Sequence, residues 1–387
     1  MVNVNTLRAP IQDIEASSVD GKLLLTTLAL VTVGFISMTS ASIDYADHKY
    51  GEPLFHAYRY LFHLSVACSV SLLIYQIPMR FWLETGWVWL FLSLFLLILV
   101  LIPGVGKEVN GSRRWLALGP LTLQCSEFTK LFVIVYLAGY LVRREDEVRS
   151  EWQGFIKPMA VLFGVTLLLM LEPDFGATVV TVGTAFGMLF LAGVRLGHFI
   201  CVVGGSLAAL VLLVFSEPYR MARLAAYTDP WADQFNSGYQ LTQSLIAFGR
   251  GEWAGVGLGN SVQKLFYLPE AHTDFVFSIW AEEMGFLGAV FVIILYALLI
   301  ARLLWVARKA RAKVDLFGHH IANGVALLLS GQVFINIGVT TGLLPTKGLT
   351  LPFLSYGGSS LIVSCCLIAL VLRVEKESGL GDVHGRG

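Results

Sequence analysis

The stretch "YLPEAHTDFVFSIWAEEMGFLGAVFVIILYALLIARLLWVARKARAK", residues 267–313, decides the fold. From Asp274 to Ala301 it is apolar for longer than a bilayer core requires of a helix, about 20 residues. A basic run follows: Arg302, Arg308, Lys309, Arg311 and Lys313. His272, Asp274, Glu282 and Glu283 stand in or beside the start, although charge at the edge of a bilayer core is costly. The segment therefore reads as a membrane span with a charged rim.

The rest of the chain agrees. Of 387 residues 56% are hydrophobic and 14% charged, with zero formal net charge. That composition excludes an ordinary soluble domain, and the charge balance offers nothing to nucleic acid. Spans are expected at 23–43, 56–77, 86–102, 126–142, 156–171, 175–193, 198–216, 274–301, 319–341 and 351–373. The fold class is an all-α integral membrane protein of about ten helices, since helices satisfy their own backbone in lipid. Residues 1–22 and 374–387 are tails, and 23–373 form one membrane domain. No cleavable signal is expected before the first span. Of five cysteines, four lie in apolar runs, with no CxxC pair.

Basic residues set the orientation. Arg143, Arg144, Arg149 and Lys157 form one dense cluster, and the run after Ala301 forms the other. Four spans separate them, so both are cytoplasmic by the positive-inside rule, and so are both termini. The 103–125 loop, the large 217–273 loop between helices 7 and 8, and the 342–350 loop then face outward. "GVGLGN" (255–260) lacks the Lys-Ser/Thr ending of a phosphate loop and is assigned to a turn. Gly183 and Gly187 give a small-residue face for helix packing.

Four outward constellations carry ionisable or polar groups. In the first, at about 100° per residue, Asp274, Ser278, Ala281, Gly285 and Gly288 share a face while Glu283 points away, as a structural partner for a buried base would. A helix cap is the plain role for Asp274, but His272, Glu282 and Glu283 crowd the same edge. In the second, "NGSRRWLALGPLTLQCSEFTK" (110–130), Glu127 and Lys130 can pair three residues apart, and Arg113 and Arg114 lie in the loop. The third is the hairpin "EPDFG" (172–176), where turn chemistry alone explains Asp174. The fourth, "GLLPTKGLTLPFLSYGGSS" (342–360), offers Lys347, Ser355 and freed backbone donors to an anion, or a kinked helix start closed by Ser355 and Ser359. In addition, "SGYQLTQSLIAF" (237–248) suits a short interfacial helix with Gln243 and Ser244 on its polar face, and Arg220 and Arg223 sit just past a span end. Together these make an outward cavity with one strong carboxylate, several cations and apolar walls, which fits an amphiphile with a phosphorylated head.

These motifs, "NGSRRW", "SEFTK", "EPDFGAT", "SGYQLTQSLIAFGRG", "LPEAHTDFVFSIWAEEMG" and "GLLPTKGLTLPFLSYGGSS", resemble those of the SEDS family (shape, elongation, division and sporulation) from the first span to the last. "TKG" resembles its division branch, while "QCSE" departs from the QPSE or QASE usual there. The resemblance implies a peptidoglycan glycosyltransferase that polymerises lipid II at the periplasmic face of the bacterial inner membrane, at the division septum. It implies a class B penicillin-binding transpeptidase as partner, with other divisome membrane proteins and membrane lipids. The family's essential aspartate falls on Asp274, its Glu and Lys on Glu127 and Lys130, and its hairpin aspartate on Asp174.

Asp274 is then the expected catalytic base. Lys130, Glu127, Arg113, Arg114, Asp174, Gln243, His272, Lys347 and Ser355 are the expected substrate-binding groups. A divalent cation (Mg or Mn) is a candidate cofactor, and no organic cofactor is expected. A lipid II flippase and a non-catalytic scaffold for the transpeptidase are the competing readings. Clustering of the candidate groups at the outer face, and the lack of an inverted repeat, favour the enzyme.

Overall fold

The computed structural model describes residues 20–109, 112–119, 121–215, 227–236, 238–345 and 348–380. Arg220, Arg223 and Lys347 lie outside the described residues. In chain order the elements are α1 (Gly21–Tyr50), α2 (Phe55–Gln76), α3 (Met79–Leu101), β1 (Gly106–Val109), β2 (Ser112–Leu118), β3 (Leu121–Gln124), α4 (Cys125–Arg143), α5 (Glu145–Ser150) and α6 (Trp152–Leu171). They continue with α7 (Phe175–Leu191), α8 (Leu196–Phe215), α9 (Tyr239–Gly251), α10 (Val276–Ala312), α11 (Leu316–Thr340) and α12 (Gly358–Leu380).

Each expected span coincides with one helix: α1 to α4, α6 to α8 and α10 to α12. Among the described residues eight are long and apolar enough to cross a membrane, and α7 and α8 supply two shorter apolar helices. Carboxylates start several of them. Asp20 caps α1 at Lys22 N and Leu23 N, and Asp315 caps α11 at Gly318 N. Helices α4, α11 and α12 are buried along most of their length, whereas α2, α3 and α6 turn Leu72, Phe95 and Phe163 outward, as lipid-facing helices do.

Three features depart from the expectations. The 103–125 loop is not featureless: β1, β2 and β3 form an antiparallel sheet in the order β1-β2-β3, a small exception to an all-α chain. Helix α10 runs on to Ala312, so most of the basic run is helical, and its Arg302 binds Asp20 at 2.5 Å. Helix α12 starts at Gly358 rather than 351, because Leu351–Gly357 is a turn with Phe353 at φ 67°. The carbonyls of that turn are taken by two tyrosines: Tyr60 Oη donates to Phe353 O at 2.9 Å, and Tyr296 Oη to Pro352 O. Of the glycine face expected on α7, Gly187 does meet a neighbour, since a Cβ there would lie 2.8 Å from Leu327 Cδ1. A Cβ on Gly183 would meet nothing within 4 Å, so Gly183 takes no part in packing.

The decisive local feature lies inside α10. Gly285 has φ 67° and ψ −168°, which breaks the helix. The backbone groups freed by the break bond to the chain just after α9. Phe286 N donates to Glu252 O at 2.8 Å and Leu287 N to Trp253 O at 3.2 Å, while Val256 N and Gly257 N donate to Glu282 O and Glu283 O at 3.0 Å each. Non-helical backbone in a membrane protein is tolerated only when protein satisfies it in this way. A Cβ on Gly285 would stand 2.3 Å from Gly255 N, and one on Gly255 2.1 Å from Glu283 O. Both backbones therefore require glycine.

Gly285→Ala combines that contact with a conformation almost confined to glycine, at a cost of roughly 1–3 kcal/mol or more. The variant should lose several degrees of thermal stability in detergent by fluorescence-detected size exclusion, whereas Gly183→Ala should match wild type. An unchanged melting temperature for Gly285→Ala would contradict the clasp.

Candidate active site

Asp274 does not cap α10. The helix starts at Val276, the N-cap position is Phe275, and no side chain caps it. The half-buried Asp274 carboxylate makes no hydrogen bond to any described residue. Its backbone is held instead: Asn336 Nδ2, on α11, donates to Asp274 O at 2.9 Å and to Leu349 O at 2.6 Å. One amide thus ties the start of α10 to the segment after Lys347. That segment runs against the carboxylate, because a Cβ on Gly348 would lie 3.0 Å from Asp274 Oδ2.

The EPDFG hairpin closes on the same segment. A Cβ on Gly176 would meet Leu349 Cγ at 2.8 Å and Gly348 O at 3.2 Å. Asp174 is buried and caps α7 through Ala177 N at 3.1 Å. It also accepts from Ser126 Oγ at 2.8 Å, at the start of α4. Beside it Glu172 is fully buried, and neither of its carboxyl oxygens has a hydrogen-bond partner among the described residues. Arg114 binds the carbonyls of this hairpin, Glu172 O at 3.0 Å and Pro173 O at 2.5 Å.

Charge at this mouth is set by burial and by like neighbours. Burial, then Glu270 and Asp174, push the Asp274 carboxyl up to about 7 against the opposing pull of Arg114. Burial and Asp174 push Glu172 up to about 8, again opposed by Arg114. Glu172 is therefore largely protonated at neutral pH, whereas Asp274 sits near the midpoint of its titration.

His272 joins an aromatic wall on the other side. Its ring lies 5.0 Å from Tyr45, 5.1 Å from His56 and 5.8 Å from Tyr356, and its carbonyl accepts from Tyr356 N at 2.9 Å. Burial lowers its pKa to about 4, so the ring is neutral.

The structure places the other expected groups differently. Glu127 and Lys130 pair at 2.8 Å, as their spacing implies, but both are buried, so the ammonium is sealed against its own partner. Arg113 forms an exposed pair with Glu108 across β1 and β2, on the strand face opposite Arg114. Ser355 turns into its own segment and accepts from Leu351 N at 2.8 Å, which is the kinked-start alternative. Ser359 does not close that start: it reaches β3 instead, accepting from Gln124 N and donating to Thr122 O. Gln243 is half-buried on α9. That helix is not an interfacial one with a polar outer face: its Ser244 is fully buried, bonded to Ser278 Oγ and Thr340 O at 2.6 Å each.

The small-residue face of α10 does admit a close neighbour, but it is protein. A Cβ on Gly251 would lie 2.1 Å from Ala281 O. Glu283 takes the structural role expected of it, accepting from Lys264 Nζ at 3.2 Å and Ser40 Oγ at 2.7 Å. Glu282 accepts from Ser261 Oγ and Val262 N and forms an ion pair with Arg250 at 2.9 Å.

Asn336 and Glu172 were not among the expected site residues. Asn336 is an amide near the outer end of an apolar span, a signal open to sequence inspection. The orphaned state of Glu172 is visible only in three dimensions. Among the described residues no three His, Cys, Asp or Glu groups come together as a metal site, so no residue is assigned to the expected divalent cation.

Known proteins resemble this chain along nearly its whole length. The family model for cell cycle proteins FtsW, RodA and SpoVE matches residues 21–379. A relative from Hahella chejuensis, named "Probable peptidoglycan glycosyltransferase FtsW", is 53% identical over 368 residues, covering 95% of this chain and 93% of that protein. One of the same name from Pseudomonas fluorescens is 51% identical, covering 93% and 88%. A chain solved in work on "polymerization and crosslinking by a peptidoglycan synthase complex" superposes with a TM-score of 0.78 at 31% identity, covering 94% of this chain and 99% of that one. The rod shape determining protein RodA of Thermus thermophilus gives 0.68 at 32% identity, covering 93% and 98%. With a match along nearly its whole length in both sequence and fold, the chain belongs to the SEDS family of cell cycle proteins, that of FtsW, RodA and SpoVE.

Proposed function

We propose that this chain is a peptidoglycan glycosyltransferase that polymerises lipid II at the outer face of the bacterial cytoplasmic membrane during septal wall synthesis. A class B penicillin-binding transpeptidase is its partner. The names of its curated relatives support the activity, and the synthase-complex neighbour supports a crosslinking partner. The observation that carries the chemistry is Asp274: a half-buried carboxylate, bound to no described residue, with a pKa of about 7 at the convergence of three motif loops.

The donor sugar is alpha-linked to undecaprenyl pyrophosphate and the product linkage is beta, so one inverting displacement suffices. The acceptor hydroxyl oxygen bonds to the anomeric carbon as the bond to pyrophosphate breaks. The hydroxyl proton passes to Asp274, and undecaprenyl pyrophosphate leaves with the electron pair. A base near pH 7 is well matched to this step, whereas a carboxylate in water, near 3.9, is too weak. Arg114, which is bound to the hairpin carbonyls, is the cation we assign to oppose the charge of the leaving group. Lys130 and Glu127 act as a buried positioning pair beneath Ser126, which holds Asp174.

Asp274→Asn in the full chain with its transpeptidase should lower lipid II polymerisation about 10²-fold or more, with folding retained. Near wild-type polymerisation would remove Asp274 as the base. Persistent lipid II translocation in proteoliposomes of this variant would instead favour a flippase.

The base must be ionised, so wild-type turnover should rise with pH through about 7 and level off above it. A rate flat from acid to neutral pH would contradict the assignment. Glu172→Gln mimics the protonated acid and should turn over near the wild-type rate at pH 7.

Lys130→Ala leaves a buried carboxylate unpaired and should destabilise the fold by about 3–5 kcal/mol. Adding Glu127→Gln should restore most of the folded yield. If the single variant melts like wild type, the pair does not hold α4.

A further inference from the structure

A second charged cleft lies on the basic face, at the end of the bundle away from Asp274. It is a small cleft that opens to solvent. Helix α5, the end of α7, the end of α10 and the first turn of α11 enclose it. Its ionisable groups are Glu145, Arg149, Arg311, His319 and His320.

These charges do not cancel. Glu145 is taken by Arg149 at 2.7 Å. His319 Nδ1 lies 2.8 Å from Ala307 O, and Asn323 stands at its other nitrogen, 3.1 Å away. The capping carboxylate of Asp315 is turned onto Gly318 N at 2.8 Å. That leaves Arg311, with no hydrogen bond or ion pair to a described residue, and His320. His320 is only 8% exposed, yet its ring has no hydrogen bond to a described residue. Arg149 and Arg311 both lie close enough to act on it electrostatically. A largely buried imidazole that lines the cleft beside an arginine with no described partner can donate to an anion seated there. Leu191 and Leu316 supply apolar wall beside it.

The cleft sits where spans end, on the face richest in arginine and lysine, a charge that attracts anionic headgroups. We propose that it binds a phosphate-bearing anion, with Arg311 and His320 as donors. An anionic phospholipid of the adjoining leaflet and free inorganic phosphate are the two sources of that chemistry. This site is separate from the proposed catalytic mouth and does not depend on that assignment.

The test uses the full chain in phosphatidylethanolamine nanodiscs with and without phosphatidylglycerol, with retained lipid read by native mass spectrometry. Wild type should retain phosphatidylglycerol in preference to phosphatidylethanolamine. Arg311→Ala and His320→Gln should each weaken that retention, by about fivefold for the arginine. Arg308→Ala, an exposed residue of the same helix outside the cleft, should leave it unchanged. Inorganic phosphate added in detergent identifies the source: a rise in melting temperature for wild type but not for Arg311→Ala, without lipid retention, supports the site with a soluble anion. The proposal fails if Arg311→Ala and His320→Gln retain phosphatidylglycerol and respond to phosphate as wild type does. It also fails if Arg308→Ala loses as much as they do, since that marks general surface attraction. Arg311 is exposed and unpaired, so its removal leaves the fold intact, as the elution profile will verify.

Discussion

A helix that breaks inside a membrane protein must have its freed N–H and C=O groups met by other protein, and this constraint governs the outer half of the molecule. At Gly285 the partners come from the chain that follows α9. The clasp is backbone to backbone, which is why both facing residues, Gly255 and Gly285, are glycines. Glu282 and Glu283 then fix the loop on either side. Glu282 gathers Ser261, Val262 and Arg250, and Glu283 binds Lys264 and Ser40 of α1. These carboxylates are buried but amply hydrogen-bonded, the condition under which buried charge is sustainable. With the loop anchored, the chain from Lys264 to Phe275 re-enters the bundle and delivers Asp274 to the mouth.

The contrast between those glutamates and Asp274 separates structural from chemical roles. Each glutamate meets donors from a distant part of the chain. Asp274 has its backbone carbonyl fixed by Asn336 while its carboxylate is left without a described partner. A fixed backbone with a free functional group is the arrangement that preorganised catalysis requires. The neutral Glu172 and the carbonyl-bound Arg114 shape the potential around it: one adds no negative charge at neutral pH, and the other opposes the burial effect.

Much of this was legible in the sequence, because lipid makes strong demands. The ten expected spans each appear as a helix, with ends displaced by as many as eleven residues, since hydrophobic length reports the bilayer rather than the helix's own limits. The pairing of Glu127 with Lys130 followed from a three-residue spacing, and the turn of Glu283 away from the Asp274 face toward a buried base from helical phase. Helical phase failed where the helix did. Gly285 is itself a break that no period predicts, Gly288 lies beyond it, and Asp274 lies before the first turn. The small sheet of 103–124 was missed because its strands are only four to seven residues long and carry mixed charge.

The sequence by itself determined the membrane class, the number of spans, the face on which charge concentrates and the family to which the motifs point. These depend on composition and spacing along the chain. Only the tertiary structure decided which charges are free. Lys130, Ser355 and Arg113 looked available and are occupied by Glu127, Leu351 and Glu108, whereas Asp274 and Glu172 are left without described partners. The physical reason is that a hydrogen bond is satisfied over about 3 Å in space. Ser40 and Glu283, 243 residues apart, can meet within that distance only after the whole bundle has closed.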